Sequence, residues 1–87
     1  MSYQCPCCGF YTFQSPPDGS YEICPVCFWE DDPVQAEDQD RTGGANHVSL
    51  QKAQLNFARF GACEEAVKPY VREPREDERT GSHPAPA

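Results

Sequence analysis

The chain has 87 residues, six of them cysteine, and a formal net charge of −7. That length allows one domain with a small core, which needs a staple such as a metal or disulfides. No stretch approaches the ~18 apolar residues of a membrane span, and the negative charge repels phosphate backbones, which disfavours direct binding of duplex nucleic acid.

Met1-Ser2-Tyr3-Gln4 leads into the first cysteines with no basic start and no apolar run. The expected compartment is therefore a reducing cytoplasm, where clustered thiols hold metal rather than form disulfides. Cys5-Pro6-Cys7-Cys8-Gly9 and Cys24-Pro25-Val26-Cys27 each contain a C-x-x-C step, and fifteen residues separate Cys8 from Cys24. This is the spacing of a four-thiolate zinc site with ligands Cys5, Cys8, Cys24 and Cys27. With all four positions filled by thiolate, one Zn²⁺ is structural and has no place for a substrate. Rubredoxin-type iron sites use similar knuckles but normally have a much longer spacing between the pairs. Gly9 suits the positive φ that closes such a turn, whereas the second pair is followed by Phe28, so a different closure is expected there.

Between the pairs, Phe10–Gln14 reads as a strand, Ser15–Ser20 as a turn and Tyr21–Ile23 as a returning strand. The expected hairpin carries one knuckle at its entrance and the other at its exit. Residues 30–47 lack apolar periodicity and read as a long acidic loop, with one helical turn near Pro33–Glu37 and a flexible joint at Gly43-Gly44. Asp38-x-Asp40-x-Thr42-Gly43 imitates half a calcium loop, but Ser49 stands where the bidentate Glu is required.

Ser49 is a good N-cap for a helix over Leu50–Phe60, with an apolar stripe of Leu50, Ala53, Phe57 and Phe60, a cation at Arg59 and a stop at Gly61. A short helix over Cys63–Val67 follows. There are no internal repeats. The expected fold is small α+β: a zinc-ribbon-like β-hairpin with two Cys-Pro-x-Cys knuckles, packed against one amphipathic helix. It spans residues 1–73, and a polar, proline-broken tail over 74–87 reads as disordered.

Cys7 and Cys63 lie outside the four-thiolate set. Cys7 could replace a neighbour as ligand or stand free, and Cys63 reads as a small buried apolar residue. A sharper reading makes either one a reactive thiol, or pairs Cys63 with His47 in a second metal site.

The strings Cys5-Pro6-Cys7-Cys8-Gly9, Tyr21–Asp32, Gly43-Gly44-Ala45-Asn46 and Phe60-Gly61 resemble the cysteine-rich CPCC family over about residues 3–72. The resemblance implies a small metal-bound fold, keeps Cys7 open as a functional thiol, and draws attention to Trp29, Glu30, Asp31, Asp32 and Asn46. Two roles suit these five. In one, Trp29 roofs the metal, the acids cap backbone N–H groups and Asn46 bridges the loop. In the other, they form an acidic, aromatic-anchored surface for a basic protein partner. The expected function is a non-enzymatic interaction module with an acidic face, for example an immunity or inhibitor protein against a basic toxin. The alternatives are a thiol-based redox protein or enzyme using Cys7 or Cys63, and a zinc-ribbon accessory of transcription or RNA machinery.

Overall fold

The structure is a computed structural model, and it describes residues 2–80. Its elements are β1 (Tyr3–Gln4), β2 (Tyr11–Phe13), α1 (Pro33–Glu37), α2 (Leu50–Phe60), a 3₁₀ helix (Glu65–Tyr70) and α3 (Glu76–Thr80). The architecture is small α+β, with β1 and β2 paired antiparallel. Among the described residues, no helix is long and apolar enough to cross a membrane.

The hairpin differs from the expected one. Tyr11–Phe13 pairs with Tyr3–Gln4 ahead of the first knuckle. Tyr21–Ile23 instead folds back on the residues after the second knuckle, through the Ile23–Glu30 bridge. Each knuckle is itself the chain reversal, so each closes its own ladder. Glu22 still reaches the end of β2, where its carboxylate accepts from the Gln14 N–H at 2.7 Å.

The two knuckles are structural copies nineteen positions apart, a repeat absent from the sequence expectation. Cys5 N–H donates to Phe10 O and Gly9 N–H to Cys5 O, at 2.9 and 2.8 Å. Cys24 N–H donates to Trp29 O and Phe28 N–H to Cys24 O, at the same two distances. Gly9 has φ 80° and Phe28 has φ 73°. The second turn therefore closes like the first, although a bulky residue in the left-handed region carries about 1–2 kcal/mol of strain.

α2 forms as its signals dictate. The Ser49 hydroxyl accepts from Lys52 N–H, and Gly61 terminates the helix at φ 82° with its N–H on Phe57 O. Leu50 and Ala53 enter the core beside Phe13, Val26, Trp29 and the cysteines. Phe57 packs edge-on against Phe10 at 6.0 Å, and Phe60 lies beneath the Lys68 ammonium at 5.4 Å. Gln54 donates to Pro6 O at 2.9 Å, so α2 is tied to the first knuckle directly. The last helices differ from expectation. The segment after Cys63 is a 3₁₀ helix beginning at Glu65, with Pro69 inside it. Residues 76–80, expected within a disordered tail, form α3 against β2. Glu78 is buried in a bidentate pair with Arg72, at 2.9 Å for both contacts. Residues 81–87 of that tail lie outside the described residues.

Candidate metal centre

The two knuckles bring Cys5, Cys8, Cys24 and Cys27 together, with all four sulfurs within 4.8 Å of one another. Among the described residues this is the one such group. The sulfurs of Cys5 and Cys27 lie 3.6 Å apart, and those of Cys8 and Cys24 lie 3.7 Å apart. A tetrahedral ion with metal–sulfur bonds of about 2.3 Å requires sulfur–sulfur edges of about 3.8 Å. The donor set therefore fits one four-coordinate ion. Each close pair joins the first cysteine of one knuckle to the second of the other, as the duplicated turns demand. None of the six cysteines is in a disulfide.

Electrostatics point the same way. Cys24 is held far below the usual thiol range, chiefly by its hydrogen bond with Cys27 and then by that with Cys5. Cys5 and Cys27 are pushed far above it, each chiefly by its hydrogen bond with Cys24. Crowding therefore opposes ionisation of Cys5 and Cys27 beside Cys24. A divalent cation lifts that opposition and lets all four ionise.

Around the sulfurs lies a shell that sequence reasoning missed in part. The Thr12 hydroxyl sits 3.0 Å from Cys24 Sγ. Trp29 is fully buried in the same cluster, which makes it a wall of the centre rather than a surface anchor. Cys7 and Cys63 are also buried there. Burial, followed by the charges of Cys7 and Glu64, pushes the Cys63 thiol up to about 12. Both the burial and the raised value disfavour the thiolate, which is the reactive form. Among the described residues no second metal group pairs Cys63 with His47, whose ring instead faces Glu64 at 3.4 Å.

The expected acidic contact surface of Trp29, Glu30, Asp31, Asp32 and Asn46 is corrected by burial. Only Glu30 keeps partial exposure, and the other four are interior. Asp31 Oδ2 accepts from the N–H groups of Gly19 and Ser20, both at 3.0 Å, which pins the turn before the second knuckle. Asp32 caps α1 through Val34 N–H at 2.8 Å and Gln35 N–H at 3.3 Å. Its other oxygen accepts from Ala45 N–H at 2.8 Å, and that bond is the leading cause of its lowered carboxyl pKa. Asn46 accepts from Glu30 N–H at 2.9 Å and donates to Glu30 O at 2.8 Å, covering that backbone edge as a neighbouring strand would. For Asp31, Asp32 and Asn46 these are the capping and bridging roles.

Gln35 is the organiser that the sequence reading overlooked. It is fully buried, and its amide nitrogen lies 3.0–3.1 Å from the carbonyls of Arg41, Asn46 and Val48. Its oxygen accepts from both nitrogens of Asn46, at 3.1 and 2.9 Å. Gly44 is not a flexible joint, because a Cβ there would fall 2.6 Å from Asp32 Oδ2. Glycine is required by this close approach. The only advance signal for this network was a polar residue inside a short helical turn.

A family model described as "Cysteine-rich CPCC" matches residues 3–78. No curated protein matches the chain.

Proposed function

Because the chain belongs to the cysteine-rich CPCC family, we propose that Cys5, Cys8, Cys24 and Cys27 hold one structural Zn²⁺, and that the resulting zinc-ribbon-like unit is a non-enzymatic interaction module. The observation that carries this reading is the cluster of four sulfurs within 4.8 Å of one another, two of its edges, at 3.6 and 3.7 Å, being close to the tetrahedral length. Zinc suits it because a thiolate tetrahedron is a characteristic structural zinc environment. The ion would supply no chemistry beyond cross-linking, since every coordination position is taken by protein. The thiol-enzyme alternative loses support from the burial of Cys7 and Cys63.

The expected basic partner is kept, but the acids that would meet it change. Asp18, Glu37, Asp38 and Asp40 are exposed around α1, where Asp18 and Glu37 line one hollow. An immunity or inhibitor role toward a basic toxin in a reducing cytoplasm is the version that this charge favours. Metal analysis of protein purified without added metal tests the core of the proposal. One equivalent of zinc, and unfolding when a strong chelator removes it, are expected. A metal-free chain that keeps its dispersed NMR spectrum, or an iron-loaded one, would overturn it.

A further inference from the structure

On the outer side of the second knuckle lies a groove of about 160 Å³, open to solvent. Ile23, Phe28 and Val67 supply its apolar walls, and Glu30, His47 and Glu64 stand among its lining residues. Ile23 is 45% exposed, and the Phe28 ring continues outward to exposed Tyr70 at 5.7 Å. A space of ~150 Å³ accepts a benzene ring in an apolar cavity, so this groove accepts one large side chain. No Lys or Arg lines it.

Phe28 is the residue that makes the groove unusual. Its counterpart in the first knuckle is Gly9, at nearly the same φ and with open space where a side chain would stand. The chain thus tolerates backbone strain to keep an aromatic ring where glycine would close the turn without it. Strain held at one of two duplicate turns marks a position with a task beyond closure.

We propose that this groove docks a linear segment of a protein partner. One aliphatic or aromatic side chain enters between Ile23, Phe28 and Val67, and a flanking Lys or Arg faces Glu30 and Glu64. The proposal rests on the reading of the chain as a metal-organised interaction module and gives that module a recognition groove separate from the exposed acids around α1. Two carboxylates in a lining without Lys or Arg select the basic flank, which competes with the His47 ring for Glu64, and the apolar walls supply the contact area.

The test selects from a displayed random heptapeptide library on the full-length, zinc-loaded chain, then measures the enriched peptides by fluorescence anisotropy at low and high salt. The expected consensus is one Leu, Ile or Phe beside Lys or Arg. Phe28→Gly removes the ring at a position where glycine is unstrained, and Ile23→Ser changes an exposed wall and keeps the test decisive should the first variant fold poorly. Each should weaken binding about tenfold or more, with the zinc content of Ile23→Ser unchanged. Glu64→Gln should weaken it less and flatten its salt dependence. Failure to enrich peptides, an acidic consensus, or affinity indifferent to Ile23→Ser overturns the proposal. Self-association of the chain that Ile23→Ser abolishes also overturns it, since a second copy would then occupy the groove. Zinc content is measured on the same samples: a zinc-loaded chain without the consensus sinks the groove alone, and a metal-free folded chain sinks the module reading beneath it.

Discussion

The Thr12 hydroxyl lies 3.0 Å from the sulfur of Cys24, joining β2 of the first ladder to the first cysteine of the second knuckle. Thr12 is buried, and its contact helps hold Cys24 in the thiolate form. A donor to a ligating sulfur fixes the ligand's orientation and offsets part of its charge. Thr12→Val keeps the shape and removes the donor. Metal affinity should fall about tenfold or more, as is typical when an outer-shell partner is lost. Competition with a chromophoric chelator measures this, and Thr12→Ser should restore most of the loss.

The assignment of ligands predicts an unequal cysteine scan. Serine at position 5, 8, 24 or 27 removes one of the four clustered sulfurs, so, if the proposed centre is right, each variant should lose its bound metal and its dispersed NMR spectrum. Cys7→Ser and Cys63→Ala should retain one zinc per chain, and Cys63→Ala should cost only about 1 kcal/mol in denaturant unfolding, a typical cost for a point substitution. Zinc loss in Cys7→Ser would show Cys7 to be a ligand instead.

Gln35 anchors the loop of residues 41–48 through one amide. Gln35→Leu leaves the carbonyls of Arg41, Asn46 and Val48 without that donor and inserts branched apolar bulk in its place. Stranding buried polar groups costs roughly 1–3 kcal/mol each, so a destabilisation of about 3 kcal/mol or more is expected. Hydrogen exchange at the amides of Ala45 and Asn46 should quicken, while the four-sulfur centre still binds metal.

Glu78 gives the chain an acid-sensitive clasp. Its hydrogen bonds with Arg72 are the main reason its carboxyl is lowered to about 2, and Arg75 adds to the effect. A folded-state value below the unfolded one means that the group's stabilisation is full above the unfolded carboxylate range and disappears as pH falls through the folded value. The window thus runs from about 4.5 down to about 2 and corresponds to about 3 kcal/mol. Glu78→Gln should free residues 72–80 for tryptic cleavage at neutral pH. The difference in stability between wild type and variant should shrink as pH falls through that window, which denaturant melts at several pH values can read.

The elements governed by local rules were legible in the chain. Ser49 and Gly61 bracket α2 because a cap hydroxyl and a left-handed glycine act within one helical turn. The clustering of the Cys5, Cys8, Cys24 and Cys27 sulfurs was legible because a C-x-x-C step places two sulfurs on one side of a turn whatever follows it. Even the duplicated knuckle was present in the letters, as Cys-Pro-x-Cys-x-aromatic at Cys5–Phe10 and Cys24–Trp29, although the glycine and phenylalanine in its fifth position conceal the shared backbone.

Pairing and burial belong to the tertiary structure. Tyr21–Ile23 suited a strand equally well against either neighbour, and the reversal at its own knuckle decided for Trp29–Asp31. Asp31 and Asp32 look like an exposed rim in any one-dimensional reading, because a carboxylate ordinarily remains in water. They are buried here because the folded chain brings the N–H groups of Gly19 and Ser20 to Asp31 Oδ2 and that of Ala45 to Asp32, and those donors replace water at the atoms they reach. The sequence alone determined which atoms could grip a metal and where α2 would start and stop, since each depends on neighbours a few bonds away. Which acids lie inside, and which stay in water, was decided only when distant segments closed around that centre, because desolvation depends on everything that packs against a group.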